Sequence, residues 1–184
     1  MTAAITVRGL GAADAAATVD ALADVLLDCV EGGASVSFMW PLAREKAIAY
    51  WRGVADGVGR HERVLLVAQE AGQIVGTVQL VTALPENQPH RAEVAKMLVR
   101  RASRKQGVAR RLMEAVEVAA LAQGRYVLVL DTVTGGDAER VYRRAGWSRV
   151  GEVPDYALMP NGDLCATTFY CKNLRALAAD PGAS

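Results

Sequence analysis

Lys96-Met-Leu-Val-Arg-Arg-Ala-Ser-Arg-Lys-Gln-Gly-Val-Ala-Arg-Arg-Leu-Met113 is the stretch on which the fold turns. It leaves an apolar strand predicted over Arg91 to Val99 and crosses a basic loop. It then opens a helix predicted from Gln106 to Ala122, with Val108, Leu112, Ala115, Val116 and Ala119 as its apolar stripe. The first N–H groups of a helix lack intrahelical partners, and the aligned peptide dipoles leave partial positive charge there. A pyrophosphate can satisfy both. Gly107 lets the backbone approach a phosphate closely, and the small Ala109 keeps the next position uncrowded. Arg104, Lys105, Arg110 and Arg101 add charge, and Gln106 and Val108 complete the predicted phosphate loop. Neither the Walker pattern GxxxxGK[ST] nor GxGxxG is present.

Outward from this stretch, alternation predicts a strand over Ile5 to Leu10, and helical spacing follows from Asp14 to Val30 until Gly32-Gly33. The segment from Gly32 to Trp40 reads either as a substrate mouth or as a plain connector. Pro41 is expected in the first turn of a second helix reaching Val58. Arg63 to Gln69 and Gln73 to Val81 flank Glu70-Ala71-Gly72 as a β-hairpin. Within Arg91 to Val99 a regular pleat puts Glu93, Ala95, Met97 and Val99 on one face. Tyr126 to Leu130 is apolar throughout, as a strand covered on both faces should be. Ala138 to Ala145 is a short helix. Ser148 to Val153 and Ala166 to Cys171 are strands around a long loop, Pro154 to Asp163. The order predicts a mixed α/β sheet of about seven strands with four helices, in one domain over residues 1–174. A fraying tail is expected over 175–184.

Composition agrees with one globular domain: 184 residues, 52% apolar and 22% charged. A net charge of +1 argues against a nucleic-acid partner gripped through phosphates. Cys29, Cys165 and Cys171 are odd in number and widely spaced, which argues against a disulfide framework or a metal site and for buried small hydrophobes. The N-terminus lacks a signal-peptide pattern and no run has the length of a membrane helix, so a cytoplasmic protein without a membrane partner is expected.

Arg104, Gly107 and Ala109 fill R/Q-x-x-G-x-G/A between a strand and a helix, and Ala138, Tyr142, Gly146 and Trp147 fill A-x-x-x-Y-x-x-x-G-F/W. With these two motifs in order, and the order of elements around them, the chain resembles the GCN5-related N-acetyltransferase superfamily over nearly its whole length. Glu31 to Met39, Arg91 to Val99, Leu130 to Thr132 and Val150 to Tyr156 further resemble its tabtoxin-resistance branch. The resemblance implies acetyl-CoA as co-substrate, no metal, and an acceptor that is a small amine such as an amino-acid-like toxin or antibiotic. It implies that the pantetheine arm pairs with backbone at Leu98 and Val99, and that Tyr142 protonates the leaving thiolate. It also admits a homodimer.

An amine must lose a proton before it can attack a thioester, so a base is required. Glu93 and Asp131 are the candidates, both expected to project towards the cleft. Glu93 otherwise reads as a strand carboxylate paired with Lys96, Asp131 as a strand-end cap, and Tyr142 as a packed helix tyrosine. Ser35, Phe38, Trp40 and Tyr156 are candidate acceptor-binding residues, each with packing as the plain alternative. His61 and His90 read as surface residues. The rival functions are acetylation of a protein or peptide amine, and a non-catalytic acyl-CoA sensor.

Overall fold

The computed structural model describes residues 4–175, so the expected tail falls almost wholly outside the described residues. Seven strands form one sheet in the order β1-β2-β3-β4-β5-β7-β6. They are β1 Thr6–Leu10, β2 Arg63–Glu70, β3 Gln73–Val81, β4 Arg91–Val99, β5 Val127–Val133, β6 Ser148–Leu158 and β7 Leu164–Asn173. Five α-helices are described, α1 Ala12–Ala17, α2 Val19–Glu31, α3 Arg44–Gly59, α4 Val108–Ala122 and α5 Asp137–Arg144, with a 3₁₀ turn at Arg101–Ser103. All pairings are antiparallel except β4 with β5.

Side-chain alternation divides the core into two layers. Leu65, Val67 and Leu98 pack with α1, α2 and α3 on one face, around the fully buried Trp51. Leu66, Ala68, Val94, Leu128 and Leu130 pack with α4 and α5 on the other. Gly76 lets α4 sit down on the sheet, since a methyl there would lie 2.8 Å from the Leu98 carbonyl and 3.1 Å from Leu112 and Val108.

Four sequence expectations are corrected. The first predicted helix is two, because the Thr18 hydroxyl donates to the Asp14 carbonyl at 2.8 Å and the chain turns there. The helices therefore number five. Pro41 precedes α3 instead of opening it, for the chain here is tied outward, with Trp40 N–H donating to the Pro160 carbonyl at 3.0 Å. The long late loop is mostly strand. Pro154 and Asp155 sit in a bulge of β6, between Val153 paired with Thr167 and Ala157 paired with Cys165. As the sheet's outer strand, β6 can accept a residue that lacks an N–H.

The fourth correction governs the site. In β4 the pairing slips between Thr77↔Leu98 and Gln79↔Ala95, and Lys96 takes a positive φ of 49°. This β-bulge breaks the regular pleat, as bulges beside functional clefts commonly do. Leu98 joins the α1–α3 face with Glu93 and Ala95, while Met97 and Val99 turn to the α4 face.

Candidate active site

Strands β4 and β5 pair only from Arg91–Glu93 to Val127–Val129, then part. The gap runs towards the N-terminus of α4. Gly107, at φ 81° and ψ 3°, is the residue before that helix, and Lys105 is also left-handed at 62°. The first intrahelical bond here is Arg111 N–H to the Gly107 carbonyl, so the amides of Val108, Ala109 and Arg110 point outward without backbone partners. Nothing lies within 4 Å of where a Gly107 side chain would begin. Lys105 and Arg110 are exposed beside it, and Gln106 braces the loop by donating to the Ala102 carbonyl at 3.2 Å. These open donors and cations fit a pyrophosphate. Arg101 is not among them. Its guanidinium is held by Asp28 at 2.9 Å and by Glu31, and its own amide donates to Asp28 at 2.7 Å. Burial raises the pKa of Asp28, but these bonds from Arg101 outweigh it and hold the carboxyl below its ordinary range.

Along the gap the β4 backbone is available. Arg100 N–H donates to the Val75 carbonyl at 2.9 Å, so by antiparallel alternation Leu98 also points its polar groups at β3. Met97 and Val99 then present theirs to the gap. The Val99 carbonyl accepts Arg104 Nε at 3.3 Å and Cys29 Sγ at 3.4 Å. Cys29 is buried, and burial pushes its thiol pKa up, which keeps it a poor nucleophile.

On the α1–α3 side the buried core includes residues of β4 but none of β5, where Val129 is half-buried and Asp131 exposed. Glu93 shares a face with Val129 by register, and Asp131 lies two residues on along the same face. The two expected carboxylates therefore flank one cleft, but they differ. Glu93 accepts from Arg91 at 3.0 Å, so its partner is Arg91 and not Lys96. Asp131 is exposed and makes no ion pair or side-chain hydrogen bond among the described residues. Phe169 pairs with Asp131 across β5 and β7, and Tyr156 stands edge-on to Phe169 at 5.5 Å. This places Tyr156 on the cleft wall. Opposite, the bulge sends Lys96 towards the segment after α2, where Nζ donates to Ser37 Oγ at 3.1 Å and lies 5.9 Å from the Tyr50 ring. Burial lowers the Lys96 pKa, partly opposed by the charge of Asp131 and reinforced by that of Arg63.

Tyr142, on α5, packs into the core on the α4 face of the sheet. Its ring is 5% exposed and packs 5.9 Å from Tyr170 and 6.2 Å from Trp147. Burial, with the Asp131 charge acting in the same direction, holds the phenol proton well above the ordinary tyrosine range. Both ends of α5 are pinned. The buried Glu139 accepts Gly135 N–H at 3.2 Å and Tyr170 OH at 3.1 Å. Beyond the helix, Glu117 accepts from Trp147 Nε1 at 3.2 Å and Lys172 Nζ at 2.7 Å, while Lys172 also donates to the Ala145 carbonyl at 2.6 Å.

Other expected residues lie apart from this cluster. Ser35 donates to the Leu158 carbonyl at 2.7 Å, tying its segment to the β6–β7 hairpin. Phe38 packs edge-on to Tyr50 at 5.3 Å. Trp40 lines a separate depression with Val30, Met159 and Pro160. His90 stacks on Tyr126 at 5.5 Å. Nothing in the sequence marks Lys96, Tyr50 and Phe169 as neighbours of this cleft; a bulge brings Lys96, a cross-strand register Phe169, and the packing of α3 Tyr50. Among the described residues no cluster of three or more His, Cys, Asp or Glu could hold a metal, and no helix is long and apolar enough to cross a membrane.

Residues 20–147 match the profile of the acetyltransferase (GNAT) family. An N-acetyltransferase described as uncharacterized, from the hisH-hisA intergenic region of Azospirillum brasilense, is 39% identical over 112 residues. That alignment covers 60% of this chain and 65% of the relative, so the chain spans less than two thirds of the relative's length. Among solved structures, an N-acetyltransferase from Staphylococcus aureus Mu50 superposes with a TM-score of 0.77 at 17% identity, covering 93% of this chain and 99% of the other. YncA, a putative acetyltransferase from Salmonella typhimurium solved with its cofactor acetyl-CoA, gives 0.71 at 19% identity, with 98% and 97% covered. At these identities the structures establish the shared fold.

Proposed function

The chain belongs to the acetyltransferase (GNAT) family, and on that premise we propose that it moves acetyl from acetyl-CoA to the amine of a small molecule in a ternary complex. One observation carries the reading. The exposed carboxylate of Asp131 stands on β5 beyond the point where it parts from β4, its charge acts on the buried phenol of Tyr142, and the outward backbone of Met97 and Val99 edges a gap leading to the α4 N-terminus.

Acetyl-CoA supplies the thioester carbon that the amine attacks. Asp131 takes the proton the amine must lose, and Glu93, held by Arg91, adds negative charge that draws an ammonium into the cleft. As the C–N bond forms, an N–H of the β4 edge at Met97 or Val99 donates to the carbonyl oxygen. As the C–S bond breaks, Tyr142 gives its proton to sulfur, which suits a phenol that burial keeps protonated. The four pieces resembling the tabtoxin-resistance branch support an amino-acid-like toxin or antibiotic as acceptor, with detoxification as the role, in the cytoplasm.

The test is release of free CoA thiol from acetyl-CoA over amino acids, β-lactam-like amino-acid toxins, polyamines, aminoglycosides and one lysine peptide. Release with a small amine, lost in Asp131→Asn, is the expected result. Release with the peptide alone moves the reading to protein acetylation. Binding of acetyl-CoA without release to any acceptor moves it to an acyl-CoA sensor.

A further inference from the structure

A half-buried lysine faces the acceptor cleft beside α3 with no carboxylate in ion-pair distance among the described residues, and a second cation lies behind it. Lys96 Nζ has three donors, yet its only polar partner among the described residues is the hydroxyl of the exposed Ser37. It makes no ion pair among those residues, and burial works against its charge. Arg63 lies behind it. Its Nη1 donates to Gln79 Oε1 at 3.0 Å, and Gln79 Nε2 in turn donates to Tyr50 OH at 3.0 Å. Arg63 Nε is buried without a partner, pressed under α3 where a methyl on Gly57 would lie 2.7 Å away. Surface lysines cost nothing to leave alone, but a lysine drawn into a wall by a strained bulge, beside a second cation, is destabilising unless an anion completes it. Across the cleft, Asp131 is equally without a cationic partner within ion-pair distance among the described residues.

We infer that Lys96, with Ser37 beside it, is the specificity residue that holds an acidic group of the acceptor while the amine of the same molecule faces Asp131. The acceptor is then zwitterionic, carrying a carboxylate or comparable anion within one cleft's width of the reacting amine. The arrangement also gives direction. The anion is drawn to the Ser37 end and away from Asp131, so the amine is the end left at the β4–β5 gap. Phe38 packs edge-on to Tyr50, whose ring lies 5.9 Å from Lys96 Nζ. Neutral and polycationic amines lose this contact, and polycations meet Lys96 and Arg63 with like charge. This inference rests on the acceptor cleft proposed above and assigns its chemistry.

Two readouts test it, one independent of turnover. The first is calorimetric binding of N-acetylglycine, N-acetyl-β-alanine and 4-acetamidobutyrate, each against its primary amide, to the protein saturated with CoA. At least one acid should bind about tenfold or more tightly than its amide. Lys96→Met should abolish the difference, Lys96→Arg should keep part of it, and acetyl-CoA affinity should be unchanged in both. The second is thiol release with the corresponding amino acids and their amides. Lys96→Met should raise KM for the acids towards that of the amides, so that the acid-to-amide preference falls towards one. Lys96-dependent binding of the acids without turnover of any amine would uphold this inference and overturn the acetyltransferase reading. Turnover of amines with no preference for acids, or a preference that survives Lys96→Met, would overturn this inference and leave that reading standing. Absence of both would overturn both.

Discussion

The two sides of the gap between β4 and β5 are built by opposite means. The phosphate side is local: Val99 to Arg110 bend through left-handed Lys105 and Gly107, and the groups that face a ligand are chiefly backbone amides. The acceptor side is assembled from distant positions, Ser37 after α2, Tyr50 on α3, Lys96 on β4, Asp131 on β5, and Phe169 and Tyr156 on the last hairpin. There the side chains carry the chemistry. A backbone site tolerates sequence change except at the residue with the special conformation, whereas a side-chain cluster can be retuned one residue at a time. The cofactor can therefore stay constant while the acceptor varies.

The largest effect expected falls where the two sides meet. Tyr142→Phe should lower kcat by about 10²–10⁴-fold, the range for losing a general acid, with acetyl-CoA affinity unchanged by calorimetry. A parallel loss of acetyl-CoA affinity would place the phenol on the cofactor side and break the division.

A smaller effect is expected on the phosphate side alone. Gly107→Ala forces a side chain onto φ 81° and should destabilise the fold by about 1–2 kcal/mol, read as a lower denaturant midpoint. It should also weaken acetyl-CoA binding while leaving binding of acceptor-like acids unchanged. Equal losses on both sides would show that α4 and the acceptor wall are one mechanical unit.

The smallest effect concerns the anchor of the loop. Asp28 has its pKa lowered by Arg101 despite burial, so it contributes stability above the ordinary carboxyl value of 3.8. That contribution is lost as pH falls through the lower folded value. Asp28→Asn should cost about 0.2–1 kcal/mol near neutrality, the range for a partly exposed ion pair, and less in acid. An Asp28→Asn penalty that does not shrink on acidification would mean that the Arg101 contact is not what stabilises the loop.

Legibility in the sequence follows the same division. The glycine at 107, the cations around it and the apolar spacing of α4 are written within a dozen residues, so strand, loop and helix are all legible in the residues themselves. The order of the sheet's elements is readable for the same reason. Features with a non-local cause are not. The bulge at Lys96 depends on how β3 meets β4, and a regular pleat is the only expectation that periodicity supports. Glu93 has two cations within reach along its own strand, and only the fold selects Arg91 over Lys96. Pro154 and Asp155 carry a turn signal, yet an outermost strand absorbs them as a bulge. Asp131 and Tyr142 are legible as single residues; that the charge of the first acts on the phenol of the second is not.

The most direct measurement is titration of acetyl-CoA into the purified chain, and into Gly107→Val, by calorimetry. Saturable one-to-one binding that CoA competes away, and that the Gly107→Val chain loses while remaining folded by circular dichroism, is the expected result. No binding to the unaltered chain, or undiminished binding to a folded Gly107→Val chain, would contradict the assignment of the loop before α4 as the site that holds the cofactor's phosphates.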